Sequence, residues 1–270
     1  MSFSVILIST LILGGSGIII GLLLGTADKK LAVAGDERES LVREALPGIN
    51  CGACGYPGCD GAAAAVVKGE APVTVCSVGG NAAAKKIGKI MGEEISDTIR
   101  KRAYIHCSGT CKNTRIDNVY TGVKECTYMS YIPGGGEKVC TYGCMGYGSC
   151  KRACPFDAIH IVDGTAVVDK ETCTGCGACL GVCPNHLIEM IPYERAEFHV
   201  ACASNDKGKA VMAACDTGCI GCRKCEKNCP ADAIKVDKFL AKIDYSLCVN
   251  CGKCKEVCPR GTIFDENKAV

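Results

Sequence analysis

The sequence has no tryptophan, and phenylalanine and tyrosine add only five and nine residues. An aromatic-rich core is therefore excluded. No sign of charge dominates: 31 basic and 29 acidic residues leave a net charge of +2, without the basic excess that nucleic-acid binding needs. No G-x-G-x-x-G follows a strand pattern. The one conspicuous glycine run, PGGGEK at 133–138, lacks the lysine–hydroxyl pair of a phosphate loop and reads as a turn. Nucleotide and flavin sites are thus not expected on this chain, and no nucleophile–base constellation is legible. What the chain does have is 25 cysteines and 33 glycines in 270 residues. So high a cysteine content means disulfides, zinc or iron–sulfur clusters. Small folds held by metal suit it, because ligand binding itself supplies folding free energy.

Residues 4–25, SVILISTLILGGSGIIIGLLLG, carry no charge and are long enough to span a bilayer. A basic n-region and a small-residue cleavage site are missing, which favours an anchor over a signal peptide. Lys29 and Lys30 follow. The positive-inside rule then places the bulk of the chain in the cytoplasm of a single-pass bacterial membrane protein in contact with lipid. That compartment is reducing and disfavours disulfides. Gly17, Gly21 and Gly25 share one helical face that could dock another membrane subunit.

Residues 36–46, DERESLVREAL, read as a short helix capped by Asp36 and ended by Pro47-Gly48. Next come Cys51, Cys54, Cys59 and Cys76, spaced C-x2-C-x4-C-x16-C. Three close cysteines in a glycine-rich loop and one distant cysteine after an Ala-rich helix suit a cubane cluster. Zinc sites more often pair two C-x2-C knuckles.

Residues 140–183 and 215–258 are two gapless copies of one unit, offset by 75 residues. The second copy holds two complete C-x2-C-x2-C-x3-C-P runs, in which the fourth Cys ligates the other cluster. One set is then Cys219, Cys222, Cys225 and Cys258; the other is Cys248, Cys251, Cys254 and Cys229. Two short alternating segments between the runs fit a β-hairpin. In the first copy Cys173, Cys176, Cys179 and Cys154 form one set. The other has Cys144, Cys150 and Cys183, but Tyr147 stands where the second copy has Cys222. Cys140 is the natural candidate for that corner. Cys107, Cys111, Cys126, Cys202 and Cys215 remain. A sixth cluster could take Cys107, Cys111 and Cys126 with Cys202 or Cys215.

The expected architecture is α+β, built of small iron–sulfur modules: a transmembrane anchor at 1–27, a helical four-Cys domain with linker at 28–92, a Cys-containing connector at 93–139, and two tandem ferredoxin-like modules at 140–200 and 201–270. Five [4Fe–4S] clusters are expected, or six. Two weaker signals are the basic run Arg100-Lys101-Arg102, a candidate steering patch for an acidic ferredoxin, and His106, a candidate ligand beside Cys107. The stretch 79–92 is a candidate hinge or short helix.

The anchor, the INCGACGYPGCDGAAAAV module and the ferredoxin runs together resemble the B subunit of the Rnf complex, a membrane-bound, ion-translocating ferredoxin:NAD oxidoreductase of bacteria. The Cys51–Cys76 module alone also resembles one in a corrinoid iron–sulfur protein. Two ferredoxin modules instead of one suggest the long form of the family. The resemblance implies soluble ferredoxin as electron donor, and other membrane and peripheral Rnf subunits as partners. NAD and flavin would bind on those partners, and no nucleic acid is involved. A membrane-tethered polyferredoxin serving another redox enzyme such as a hydrogenase, or a structural zinc protein, are the competing readings.

Overall fold

Three short helices build the first unit of the computed structural model, which describes residues 13–26, 36–97 and 99–265. Helix α1 (Glu37–Ala45) starts where the Asp36 side chain accepts a hydrogen bond from the Arg38 N–H at 2.9 Å, satisfying one of the free donors of the first turn. It buries Val42 against α2 (Gly58–Val67) and α3 (Gly80–Met91). The buried face of α2 is Ala62, Ala63, Ala65 and Val66, so small side chains let the helices approach closely. The stretch 79–92 is the helix α3, and its Ile87 is fully buried in this core.

Residues 13–26 are helical and almost wholly exposed, while residues 4–12, Lys29 and Lys30 lie outside the described residues. Among the described residues no helix is long and apolar enough to cross a membrane. At 1.5 Å per residue the described stretch rises about 21 Å, short of a hydrocarbon core of about 30 Å.

The rest of the described chain folds around four two-stranded antiparallel sheets. Strand β1 (Lys101–Ile105) pairs with β4 (Ile188–Pro192), and β2 (Ile159–Val162) pairs with β3 (Thr165–Val168). In the second copy β5 (Phe198–Val200) pairs with β8 (Ile263–Asp265), and β6 (Ile234–Asp237) pairs with β7 (Leu240–Ile243). Short helices α4 (Cys126–Met129) and α5 (Ser149–Arg152) belong to the first half, and α6 (Gly208–Ala214), α7 (Lys224–Lys227) and α8 (Lys253–Glu256) to the second. The 75-residue offset holds in backbone detail. Positive φ recurs at Gly146 and Gly221, Asp157 and Asp232, Asp163 and Lys238, and His186 and Gly261. Gly221 shows why: a Cβ there would lie 2.8 Å from Cα and O of Phe239 on the hairpin turn. The cysteine loop must touch that turn, and only glycine fits the approach.

Two boundaries differ from the sequence reading. Within the connector at 93–139, β1 pairs with β4 of the first module. Likewise the second module begins at β5, before residue 201. Sequence offset alone misses these strands, since β1 lies far upstream of the cysteine runs. The segment after β1 also binds the second module. The Ser108 N–H donates to Ala201 O (3.0 Å), Arg115 N–H to Ala214 O (3.0 Å), and Asp216 N–H to Asn113 O (2.7 Å).

The basic run is not one exposed patch. Arg102 is fully buried, with Nη2 3.0 Å from Nε2 of His199 on β5, and Arg100 lies 4.0 Å over the Tyr193 ring. Alternation along β1 turns Arg102 inward between the modules.

Candidate metal centres

A thiolate buried in a cluster site needs hydrogen-bond donors, and the short loops here provide backbone N–H groups. The Ala166 N–H points at Sγ of Cys144 (3.4 Å), Leu187 N–H at Cys183 (3.4 Å), and Ala103 N–H at Cys173 (3.5 Å). The amides of Ala158 and Ala233, equivalent by the repeat, point at Cys154 and Cys229 at 3.4 and 3.3 Å. In the four-Cys domain, Gly79 N–H donates to Cys76 Sγ at 3.3 Å, and Cys59 N–H to the Asn50 side chain at 2.8 Å. Cys54, Cys59 and Cys76 all pack against the α1–α3 core. Donor-supplied sulfurs at the rims of apolar cores fit iron–sulfur ligation. Among the described residues no three Cys, His, Asp or Glu side chains converge as ligands of a single metal ion; the sulfurs ring cavities instead.

Cys219, Cys222, Cys225 and Cys258 line one such cavity, and Cys229, Cys248, Cys251 and Cys254 line another. Both sets are the crossed ones read from the sequence. In the first module Cys154, Cys173 and Cys179 share one core, and Cys173 and Cys176 lie close enough to act electrostatically on Cys179.

The other set of the first module is different from the sequence reading. Its cavity is lined by Cys126, Cys144, Cys150 and Cys183. Cys140 is not there. The fourth cysteine lining this cavity lies on α4, where the Cys126 N–H donates to Ser149 Oγ (3.0 Å) beside Cys150 and Met129 is fully buried. Cys140 instead lines a cavity with Cys107, Cys202 and Cys215. Cys107, Cys111 and Cys126, expected together in one site, thus occupy three separate places. The exposed Cys111 sits on the hairpin turn, its N–H donating to Asp163 O at 2.8 Å. Cys111→Ala is expected to leave the iron and sulfide content unchanged by analysis of the anaerobic protein. His106 is also committed elsewhere: Nδ1 is 2.8 Å from Val200 O and Nε2 2.8 Å from Glu189.

Burial is the first cause of the thiol pKa shifts, and neighbouring cysteines add to it. Cys150, Cys179 and Cys225 are pushed up to about 12, and Cys107, Cys202 and Cys254 to about 11. Without ligation these thiols are neutral at pH 7. Each therefore releases a proton when it binds iron, and cluster loading weakens as pH falls.

Family profiles for iron–sulfur proteins match three segments: an Fe-S cluster profile over 46–78, a 4Fe-4S binding domain over 166–189 and a 4Fe-4S dicluster domain over 218–262. The chain is 42% identical over 242 residues to the B subunit of the ion-translocating oxidoreductase complex of Methanosarcina acetivorans, covering 89% of this chain and 91% of that protein. It belongs to this B-subunit family. The B subunit of the Na(+)-translocating ferredoxin:NAD(+) oxidoreductase complex of Acetobacterium woodii is 45% identical over 89% of this chain and 72% of its own length. The proton-translocating counterpart of Clostridium ljungdahlii is 37% identical over 86% and 81%.

Proposed function

We infer that this chain is the electron-transfer subunit of an ion-translocating ferredoxin:NAD oxidoreductase, taking electrons from soluble ferredoxin and passing them to the other subunits. The reading is carried by the grouping of sulfurs into separate four-cysteine sites strung along one chain. Five [4Fe–4S] clusters would be held by Cys51, Cys54, Cys59 and Cys76; by Cys126, Cys144, Cys150 and Cys183; by Cys154, Cys173, Cys176 and Cys179; by Cys219, Cys222, Cys225 and Cys258; and by Cys229, Cys248, Cys251 and Cys254. Such clusters supply one-electron exchange at potentials set by charge, hydrogen bonds to sulfur and exposure.

The protein's part is to fix spacing and tune those potentials. Backbone N–H groups aimed at sulfur stabilise the reduced, more negative state. Cys222 and Cys251 are exposed, and their sites are suited to exchange with an outside partner. Nicotinamide and flavin chemistry belongs to partner subunits. The uncharged stretch at 4–25 serves as a single-pass anchor in the lipid bilayer, with the cysteine-bearing modules on the cytoplasmic side, next to the membrane subunits.

The test is anaerobic purification in mild detergent. Iron and acid-labile sulfide in near-equal amounts, with other membrane subunits co-purifying, are expected. Zinc without sulfide would overturn the iron–sulfur reading, and a chain that extracts alone would point to a free polyferredoxin.

A further inference from the structure

The cavity lined by Cys107, Cys140, Cys202 and Cys215 has a volume of about 240 Å³, against about 20 Å³ for each of the three other four-cysteine cavities. Space does not limit it. None of the matched profiles, at 46–78, 166–189 and 218–262, includes any of these four residues. Their placement follows the internal repeat. Cys140 and Cys215 are equivalent by the 75-residue offset. Ile105 pairs with Ile188 on β4, and Val200 pairs with Ile263 on β8. Ile188 and Ile263 are themselves equivalent, so β1 and β5 are too, and Cys107 and Cys202 stand two residues beyond these matching strand positions. Each module thus contributes the same two cysteines to one shared site, as isologous contacts do between identical subunits.

Polar groups surround the four sulfurs. Gly109 and Cys144 N–H groups donate to Cys107 Sγ at 3.4 and 3.2 Å, and Thr217 Oγ1 lies 3.5 Å from Cys215 Sγ. The backbone N–H groups of Cys219 and Ser204 act on the Cys202 thiol and that of Tyr142 on Cys140, while the Gly143 N–H donates to Cys140 O at 3.3 Å. Gly109 lies between sulfurs of the two modules: a Cβ there would be 3.4 Å from Cys107 Sγ and 4.0 Å from Cys215 Sγ, and its close contact would be with Thr114 Oγ1 at 2.7 Å. The Lys138 ammonium also lines the cavity and sets a positive charge against the negative charge of bound thiolates.

We propose that Cys107, Cys140, Cys202 and Cys215 hold a sixth [4Fe–4S] cluster between the two ferredoxin modules, where it passes electrons from one to the other. This rests on the iron–sulfur reading above. The position supports the bridging role: Cys144 belongs to the neighbouring site of the first module and Cys219 to that of the second, and their equivalent amides donate to Cys107 and Cys202. One electron enters and one leaves, with no proton or co-substrate required.

The experiment is iron and sulfide analysis with Mössbauer spectroscopy on the anaerobic full chain, beside Cys140→Ala, Cys215→Ala and the double variant. The unsubstituted chain should contain about 24 iron atoms, four per cluster. Each single variant and the double variant should contain about 20, because both cysteines serve one cluster. A content of about 20 in the unsubstituted chain would overturn the proposal without any variant. So would a double variant that loses about eight, or a zinc ion at this site. Absence of sulfide altogether would instead sink the wider iron–sulfur reading.

Discussion

Cys126→Ala should cost the first ferredoxin module one whole cluster, although Cys126 lies outside the repeat and outside every cysteine run. The loss expected is about four irons and four sulfides. Its partners are identified by pairing variants, since two substitutions in one site are strongly non-additive and two in separate sites add. Cys126→Ala combined with Cys144→Ala should lose no more than either alone. Cys126→Ala combined with Cys140→Ala should lose about eight irons. If instead Cys140 and Cys144 behave as one site, Cys140 holds the corner opposite Tyr147 and the placement of Cys126 is wrong. The physical ground is local: Cys126 is brought to Cys150 by its N–H bond to Ser149 Oγ, while Cys140 lines the junction cavity.

Lys138→Met is expected to destabilise the joined ferredoxin modules by about 3 kcal/mol. The Lys138 Nζ donates to three backbone carbonyls, Gly109 O at 2.7 Å, Cys144 O at 2.8 Å and Gly164 O at 2.7 Å. These lie on the connector, on a cysteine loop and on the β2–β3 turn, so one ammonium ties three segments far apart in sequence. Methionine keeps the bulk of the side chain but takes the ammonium from all three acceptors; Gly109 O keeps the Thr165 hydroxyl at 3.0 Å, while Cys144 O and Gly164 O lose their side-chain donor. The apparent midpoint of anaerobic thermal unfolding should fall by about 10 °C, and Lys138→Arg should recover part of it. A midpoint within about 2 °C of the unsubstituted protein would show that water replaces the ammonium without loss.

The second module is the part of the site most legible in the sequence. Its eight cysteines follow two complete runs, and the crossed sets Cys219, Cys222, Cys225, Cys258 and Cys229, Cys248, Cys251, Cys254 line two cavities as spacing requires. The hairpins at 159–168 and 234–243 are legible for the same reason: alternation and turn residues are local signals. Cys126, the role of Cys140, and the strands β1 and β5 are less so. Each depends on where distant segments meet, and a periodic motif carries no information about a ligand arriving from outside it. One further signal exists. Cys107 and Cys202 each follow the apolar last residue of a strand, Ile105 or Val200, by two positions, but recognising them as equivalent requires the register of β1 on β4 and β5 on β8.

The chemistry is written in the chain itself: the number of thiols, their runs, their duplication, and the glycines that let short loops fold around sulfur. Those are properties of neighbouring residues, governed by backbone sterics and ligand spacing. Which thiols share a site, when they come from different segments, is settled only by the packing of the folded chain. A soft sulfur ligand is the same wherever it lies in the sequence, and it takes the placement of β1 beside β5 to bring Cys107 and Cys140 of one half to Cys202 and Cys215 of the other.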